Sequence, residues 1–304
     1  MHINKAIVLF FLFAFNNLHS STFFLYESSK QVYGETLEIE AMYEDTLVDL
    51  ARTYNLGFNE IIQANPTVDK WLPGEGTLVK IPSAYILPNN YLNDGITINL
   101  SEFRGYLIKN SKLITFPVGI GRMDWKTPLG VSEIDLKLEN PAWYPPKSVR
   151  DEYKLEGLIL DAIVPPGPNN PLGKLAMRIN IPGGYFIHGT NRPDGVGMEV
   201  SHGCIRLFPE DIKEVFKMSS IGTRVLVIDE PIKLAKSGNK IFLQFHHSKY
   251  DSIVNENYSY LETKVINYVT SNNIDIDSIN WIKVKKVFEE KSGLIDQISY
   301  EDQT

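Results

Sequence analysis

Cys204 is the single cysteine of this 304-residue chain, and it stands in the run Ser201-His202-Gly203-Cys204-Ile205-Arg206-Leu207. His188, in Ile187-His188-Gly189-Thr190, lies sixteen residues upstream. A thiol without a disulfide partner is either a packed core residue or a nucleophile. A free thiol is only a few per cent thiolate at neutral pH, so a nucleophile needs a base beside it. Two histidines, His188 and His202, fall in the cysteine's own region. His246-His247 closes a later strand and is expected to be exposed and inert.

His202 is two residues from Cys204, so its ring reaches the thiol only if the backbone bends there. His188 ends a strand, Tyr185 to His188, and can approach from outside. His188 is therefore read as the general base, with the Gly189 carbonyl holding its second ring nitrogen. Thiol and imidazole are expected to form an ion pair poised for acyl transfer. His202 is read as shaping the loop. Gly203 can take a backbone conformation closed to other residues. That would aim the N–H groups of Gly203 and Cys204 at one point, an oxyanion hole. Arg206 is either a bidentate clamp on a substrate carboxylate or half of an internal ion pair. A zinc site of His188, His202 and Cys204 lacks the usual CxxC or HExxH spacing. Neither metal nor cofactor is expected.

The elements around these residues read as mainly β from about Gly95 to Asp229. Ile96 to Leu100 alternates with period two, and Arg104–Ile108 and Leu113–Gly119 read as a hairpin across Lys109-Asn110-Ser111. Val225–Ile228 is a further strand, and Pro209–Met218 a short amphipathic helix. Two proline-rich stretches, 139–149 and 164–173, read as functional loops. After residue 230 come a strand, Lys240 to Phe245, and helices at about 258–271 and 279–291. This last part reads as a short α/β subdomain without chemistry, with Glu301–Thr304 frayed.

Residues 38–83 form a separate β-α-α-β unit. Leu37–Met42 is its first strand, Thr46 caps a helix carrying Leu47, Leu50, Ala51 and Tyr54, and a second helix spans Asn59–Asn65. The strand Thr77–Pro82 closes it. The pattern Asp45-Thr46-Leu47, Leu50-Ala51, Tyr54, Ile61, Asn65-Pro66, Leu72, Gly74, Leu78 and Ile81-Pro82 resembles a LysM module, with Glu44 where that family has glycine. The resemblance implies binding of N-acetylglucosamine-containing glycan such as peptidoglycan.

Composition narrows the class. A net charge of −7 leaves no basic excess for a nucleic acid. Lys5 followed by the apolar run Ala6–Phe15 reads as a signal peptide over residues 1–20. Ten apolar residues are too few for a bilayer core of about 30 Å. The mature chain is expected to be exported and soluble, with no transmembrane segment.

The segment His188-Gly189-Thr190…Gly195…Gly197…Ser201-His202-Gly203-Cys204-Ile205-Arg206-Leu207 resembles the signature of the YkuD-type L,D-transpeptidases. Phe116–Gly121, Thr127–Gly130, Asn140–Trp143 and Gly167–Gly173 extend the likeness across about residues 95–230. Signal, LysM, catalytic domain and a C-terminal piece (231–304) are also the arrangement of the ErfK/YbiS-like subgroup. The resemblance implies a β-sandwich-like catalytic domain with the cysteine in a cleft. By the same resemblance Tyr185 and Thr190 would line that cleft; Ser201, His202 and Arg206 are read as further substrate-binding candidates, and the protein is expected to work in the periplasm. The implied reaction is a two-step acyl transfer. Cys204 attacks the diaminopimelate carbonyl at stem position 3 and expels D-Ala. An amine from a second diaminopimelate, or from an outer-membrane lipoprotein lysine, then resolves the thioester. Resolution by water, giving a carboxypeptidase or a lipoprotein-releasing hydrolase, is the enzymatic alternative; a non-catalytic wall-binding protein is the other. A papain-like protease would place cysteine before histidine.

Overall fold

The computed structural model describes residues 22–300; the expected signal peptide and the Glu301–Thr304 tail lie outside them. Among the described residues, nine strands form one sheet. Its order is Thr22–Leu25, Lys112–Pro117, Arg104–Lys109, Gly95–Asn99, Arg224–Ile228, Gly130–Glu139, Leu175–Ile179, Phe186–His188 and Ile205–Arg206. Two apolar layers were expected from a sandwich; one curled sheet supplies both.

The bend has a local cause. Gly130–Glu139 pairs with Arg224–Ile228 through its first half and with Leu175–Ile179 through its second. Register slips between Ile134 and Leu136, and a bulge of this kind bends and twists the strand that carries it. The two arms then close on one core, where Ile96, Ile98 and Phe116 of one arm share a cluster with Met177, Ile187 and Ile205 of the other. The helix Pro209–Met218 caps this core through Ile212 and Val215. The hairpin turn is as its sequence suggests: Asn110 and Ser111 both have positive φ (51° and 58°), the geometry of a tight type I′ turn.

The N-terminal unit is built on Leu37–Glu40 paired antiparallel with Leu78–Ile81, and on helices Leu47–Thr53 and Phe58–Ala64. Thr46 Oγ1 accepts from Asp49 N at 3.0 Å, the expected cap. Asn65 clips the second helix to the closing strand, donating to Ile61 O and Lys80 O and accepting from Lys80 N, all at 2.8 Å.

After residue 230, strands Ile232–Ser237, Lys240–Phe245 and Ile295–Gln297 make an antiparallel sheet. Helices Tyr258–Ser271 and Trp281–Glu290 pack on it through Leu261, Val265, Val284 and Val287. The expectation that His246 is exposed is corrected. It sits just past the strand end, beside Gly293 and near Glu60, Tyr85 and Glu102 of earlier segments, and only 5% of it is exposed. Burial holds its imidazole neutral, pushing the pKa well below the usual value. Its neighbour His247 is half-buried. No helix among the described residues is long and apolar enough to cross a membrane.

Candidate active site

Strand register brings the histidine and the cysteine together. Phe186–His188 and Ile205–Arg206 run parallel, with Ile187 opposite Ile205 and His188 opposite Arg206. Side chains alternate across a strand. Ile187 and Ile205 therefore face the core, while His188, Arg206 and Cys204 take the other face. Sixteen residues of separation become one pleat. These three side chains line a cavity of about 460 Å³, with Trp125, Tyr144, Tyr185 and His202 on its walls.

His188 is 3% exposed, and its Nδ1 donates to Gly189 O at 2.5 Å. A neutral ring so held keeps Nε2 as an acceptor. Burial drives the His188 pKa down to about 3, and the facing Arg206 charge adds to this; hydrogen bonds with the Gly189 and Leu172 backbone act the other way. Burial pushes the Cys204 thiol up, against smaller opposing contributions from the Phe186 backbone and Arg206. Burial thus disfavours the charged form of each group taken singly, while Cys204 itself is only half-buried. Among the described residues no hydrogen bond joins Cys204 and His188 directly; they meet across the cavity. Catalytic hydrogen bonds commonly tighten only when substrate is bound.

The loop before Cys204 is locked from within. Gly203 has φ +96°, and a Cβ there would lie 2.5 Å from the Tyr185 ring, so both conformation and space demand glycine. Its carbonyl accepts from Thr127 Oγ1 at 3.0 Å. Its N–H is not free for an oxyanion: it donates to Ser201 Oγ at 3.1 Å. That corrects the expected amide pair and leaves the Cys204 amide as the candidate donor. Ser201, which lines the same cavity, braces the loop. It is 1% exposed, and its hydroxyl also donates to Cys204 O at 2.5 Å. Thr190 does not reach this cavity; it lines a second one of about 690 Å³ behind Gly189, and its hydroxyl accepts from Arg192 N.

Arg206 stands half-buried on the cavity wall. Its Nε is buried with no hydrogen-bond partner, and among the described residues no carboxylate pairs with it. The arrangement is a guanidinium held ready on the cavity wall.

The outer support carries no local signal along the chain. The helix Lys147–Leu155 begins where only a proline-rich loop was expected, its start set by Pro146. Its Glu152 accepts from His202 Nε2 at 2.7 Å and from Arg122. Those two hydrogen bonds hold the Glu152 carboxyl below its usual range. Trp125 stands edge-on to the His202 ring with centroids 5.2 Å apart. His202 is thereby oriented on the cavity rim. No three His, Cys, Asp or Glu side chains among the described residues converge to hold a metal ion.

A sequence model of the YkuD L,D-transpeptidase catalytic domain matches residues 93–227. Probable L,D-transpeptidase ErfK/SrfK of Salmonella typhimurium is 35% identical over 284 residues, 90% of this chain and 89% of that one. Probable L,D-transpeptidase YcfS of Escherichia coli is 42% identical over 200 residues, 64% of this chain but only 62% of its own. The match thus spans less than two thirds of YcfS. The NMR structure of the catalytic domain from the E. faecium L,D-transpeptidase aligns at 24% identity over 46% of this chain and 100% of that domain, with a TM-score of 0.36. Identity sustained over nearly the full length of the ErfK/SrfK relative is more than a shared motif, and this chain belongs to the L,D-transpeptidase family with a YkuD-type catalytic domain.

Proposed function

We propose that the protein is a peptidoglycan L,D-transpeptidase with Cys204 as nucleophile and His188 as base. The observation that carries this is one cavity with, on its walls, the thiol, the imidazole and a guanidinium whose Nε has no partner. In the first step Sγ attacks the carbonyl carbon of diaminopimelate at stem position 3 while its proton passes to His188 Nε2. The Cys204 N–H faces the developing oxyanion. The C–N bond to D-Ala then breaks, and His188 returns the proton to the leaving amine. In the second step an acceptor amine attacks the thioester. A C–N bond forms, the C–S bond breaks, and the proton restores the thiol through His188. The thioester conserves the donor's bond energy, so no cofactor is required. Arg206 binds the free carboxylate of the donor diaminopimelate; its orphaned Nε supports this role.

Residues 38–83 act as a LysM module. Tyr43 (81% exposed) and Trp71 (55%) supply aromatic surface for glycan. They ride on neighbouring loops tied by Leu47 N–H to Lys70 O. Residues 95–230 are the catalytic domain and 231–304 a packing subdomain. The site of action is the periplasm, and the acceptor is a second stem or a lipoprotein lysine.

The test incubates the purified protein with tetrapeptide muropeptides, with and without a lipoprotein C-terminal peptide. A thioester on Cys204 by intact mass, followed by dimers or a peptide adduct, is the expected result. Tripeptides alone would replace transfer by hydrolysis. No thioester on folded protein would overturn the reading.

A further inference from the structure

The N-terminal unit grips the segment that leads into the Cys204 loop. The helix Phe58–Ala64 starts at Gly57, which has no side chain to cap it. The first N–H groups of a helix lack partners within the helix. Here two of them are satisfied by the other unit: Phe58 N donates to Val196 O at 3.1 Å, and Asn59 N to Gly197 O at 3.3 Å. Asn59 Nδ2 adds a second, shorter bond to the same Gly197 O, at 2.7 Å. The approach is backbone to backbone. Gly197 has φ +84°, and a Cβ on it would lie 2.3 Å from Phe58 N and 2.4 Å from Gly57 Cα.

From Gly197 a series of backbone bonds leads toward the nucleophile, with one register slip between Glu199 and Ser201. Gly197 N donates to Val118 O at 3.2 Å, Ile120 N to Met198 O at 2.9 Å and Arg122 N to Ser201 O at 3.1 Å. Ser201 Oγ then ties Gly203 N and Cys204 O. We propose that Asn59 is a positioning residue for Cys204: it fixes Gly197, and through it the register of 197–204 on which the thiol's place in the cavity depends. The unit that reads as wall-binding is thereby also a structural part of the catalytic apparatus. The reading of turnover rests on the transpeptidase proposal; the geometry of the grip does not.

The experiment uses the full chain with Asn59→Asp, which removes the Nδ2 donor at constant size, and Asn59→Ala as the second variant. Thr46→Ala, which weakens the same unit by removing a helix cap away from residue 197, is the control. Steady-state kinetics on tetrapeptide muropeptides and the rate of Cys204 alkylation by iodoacetamide at fixed pH are read together, below each variant's unfolding midpoint. Both Asn59 variants should lower kcat about tenfold with KM within about twofold, since a misplaced reacting group costs rate and not affinity. Alkylation should change several-fold, and Thr46→Ala should match the wild type in both. Unchanged kcat and alkylation in the Asn59 variants, or equal changes in Thr46→Ala, would overturn the proposal. If the wild type forms no thioester while the Asn59 variants alone alter alkylation, the transpeptidase reading falls and the positioning role stands.

Discussion

Two arginines of this molecule stand in contrast, one fully buried and one half-buried on a cavity wall. Arg104 is fully enclosed and fully partnered. It meets Glu60 through two bonds of 2.6 and 2.9 Å, Asn55 O at 3.0 Å and Thr115 Oγ1 at 3.1 Å, and it stacks 4.4 Å over Tyr85. Lys233 nearby is equally enclosed, held by Glu102 and by Ile86 O at 2.7 Å. Arg206 faces the cysteine cavity with its Nε unpaired. A buried charge costs several kcal/mol unless partners replace its water. Arg104 and Lys233 join residues from all three parts of the chain, so their partners are built in. Arg206 is left short of a partner where a ligand carboxylate can supply one.

The largest expected effect is at the thiol itself. Cys204→Ala should give no covalent intermediate by intact mass, with an unchanged unfolding midpoint. Next comes the enclosed pair: Glu60→Gln strands Arg104 without a counter-ion and should cost about 3–5 kcal/mol in denaturant unfolding. Arg206→Gln should do the reverse. It should reduce kcat/KM by about 10- to 100-fold, the worth of a hydrogen bond to a charged group, with stability equal or higher. If Arg206→Gln instead unfolds the protein as Glu60→Gln does, the contrast collapses.

The pH dependence sharpens the same comparison. His188 has a folded pKa of about 3, below an unfolded value near 6.5. The unfolded chain therefore binds more protons between these values. The stability His188 contributes is present above about pH 6.5 and lost as pH falls toward about 3. His246 is depressed in the same direction. Melting curves at pH 7.5 and 4.5 should show a drop that is smaller in His188→Asn than in the wild type. The smallest effect should come from Glu152→Gln on the partly exposed rim, lowering kcat by about two- to fivefold, as befits a surface ion pair.

Legibility followed locality. The hairpin turn at Asn110-Ser111, the Thr46 cap, the Pro209–Met218 helix and the β-α-α-β order depend on neighbours in sequence, and all could be read there. The strand Gly130–Glu139 was legible too, since Ile134, Leu136 and Leu138 alternate with Asp135, Lys137 and Glu139; its bulge and its two different partners were not. The buried His246 could not be seen at all, because its cover comes from residues as distant as Glu60 and Gly293.

The sequence by itself determined the chemical inventory: one thiol, one histidine ending a strand, a glycine where the loop turns, and an arginine two residues on. Residue type and local spacing suffice for that, because turn and strand preferences act over a few residues. Which groups meet was decided by the fold. The parallel register of two short strands set His188 against Arg206, burial then raised the cost of charging either imidazole or thiol, and Ser201 took the amide that Gly203 was expected to offer. Those outcomes depend on desolvation and on contacts between distant segments, which spacing along a chain does not encode.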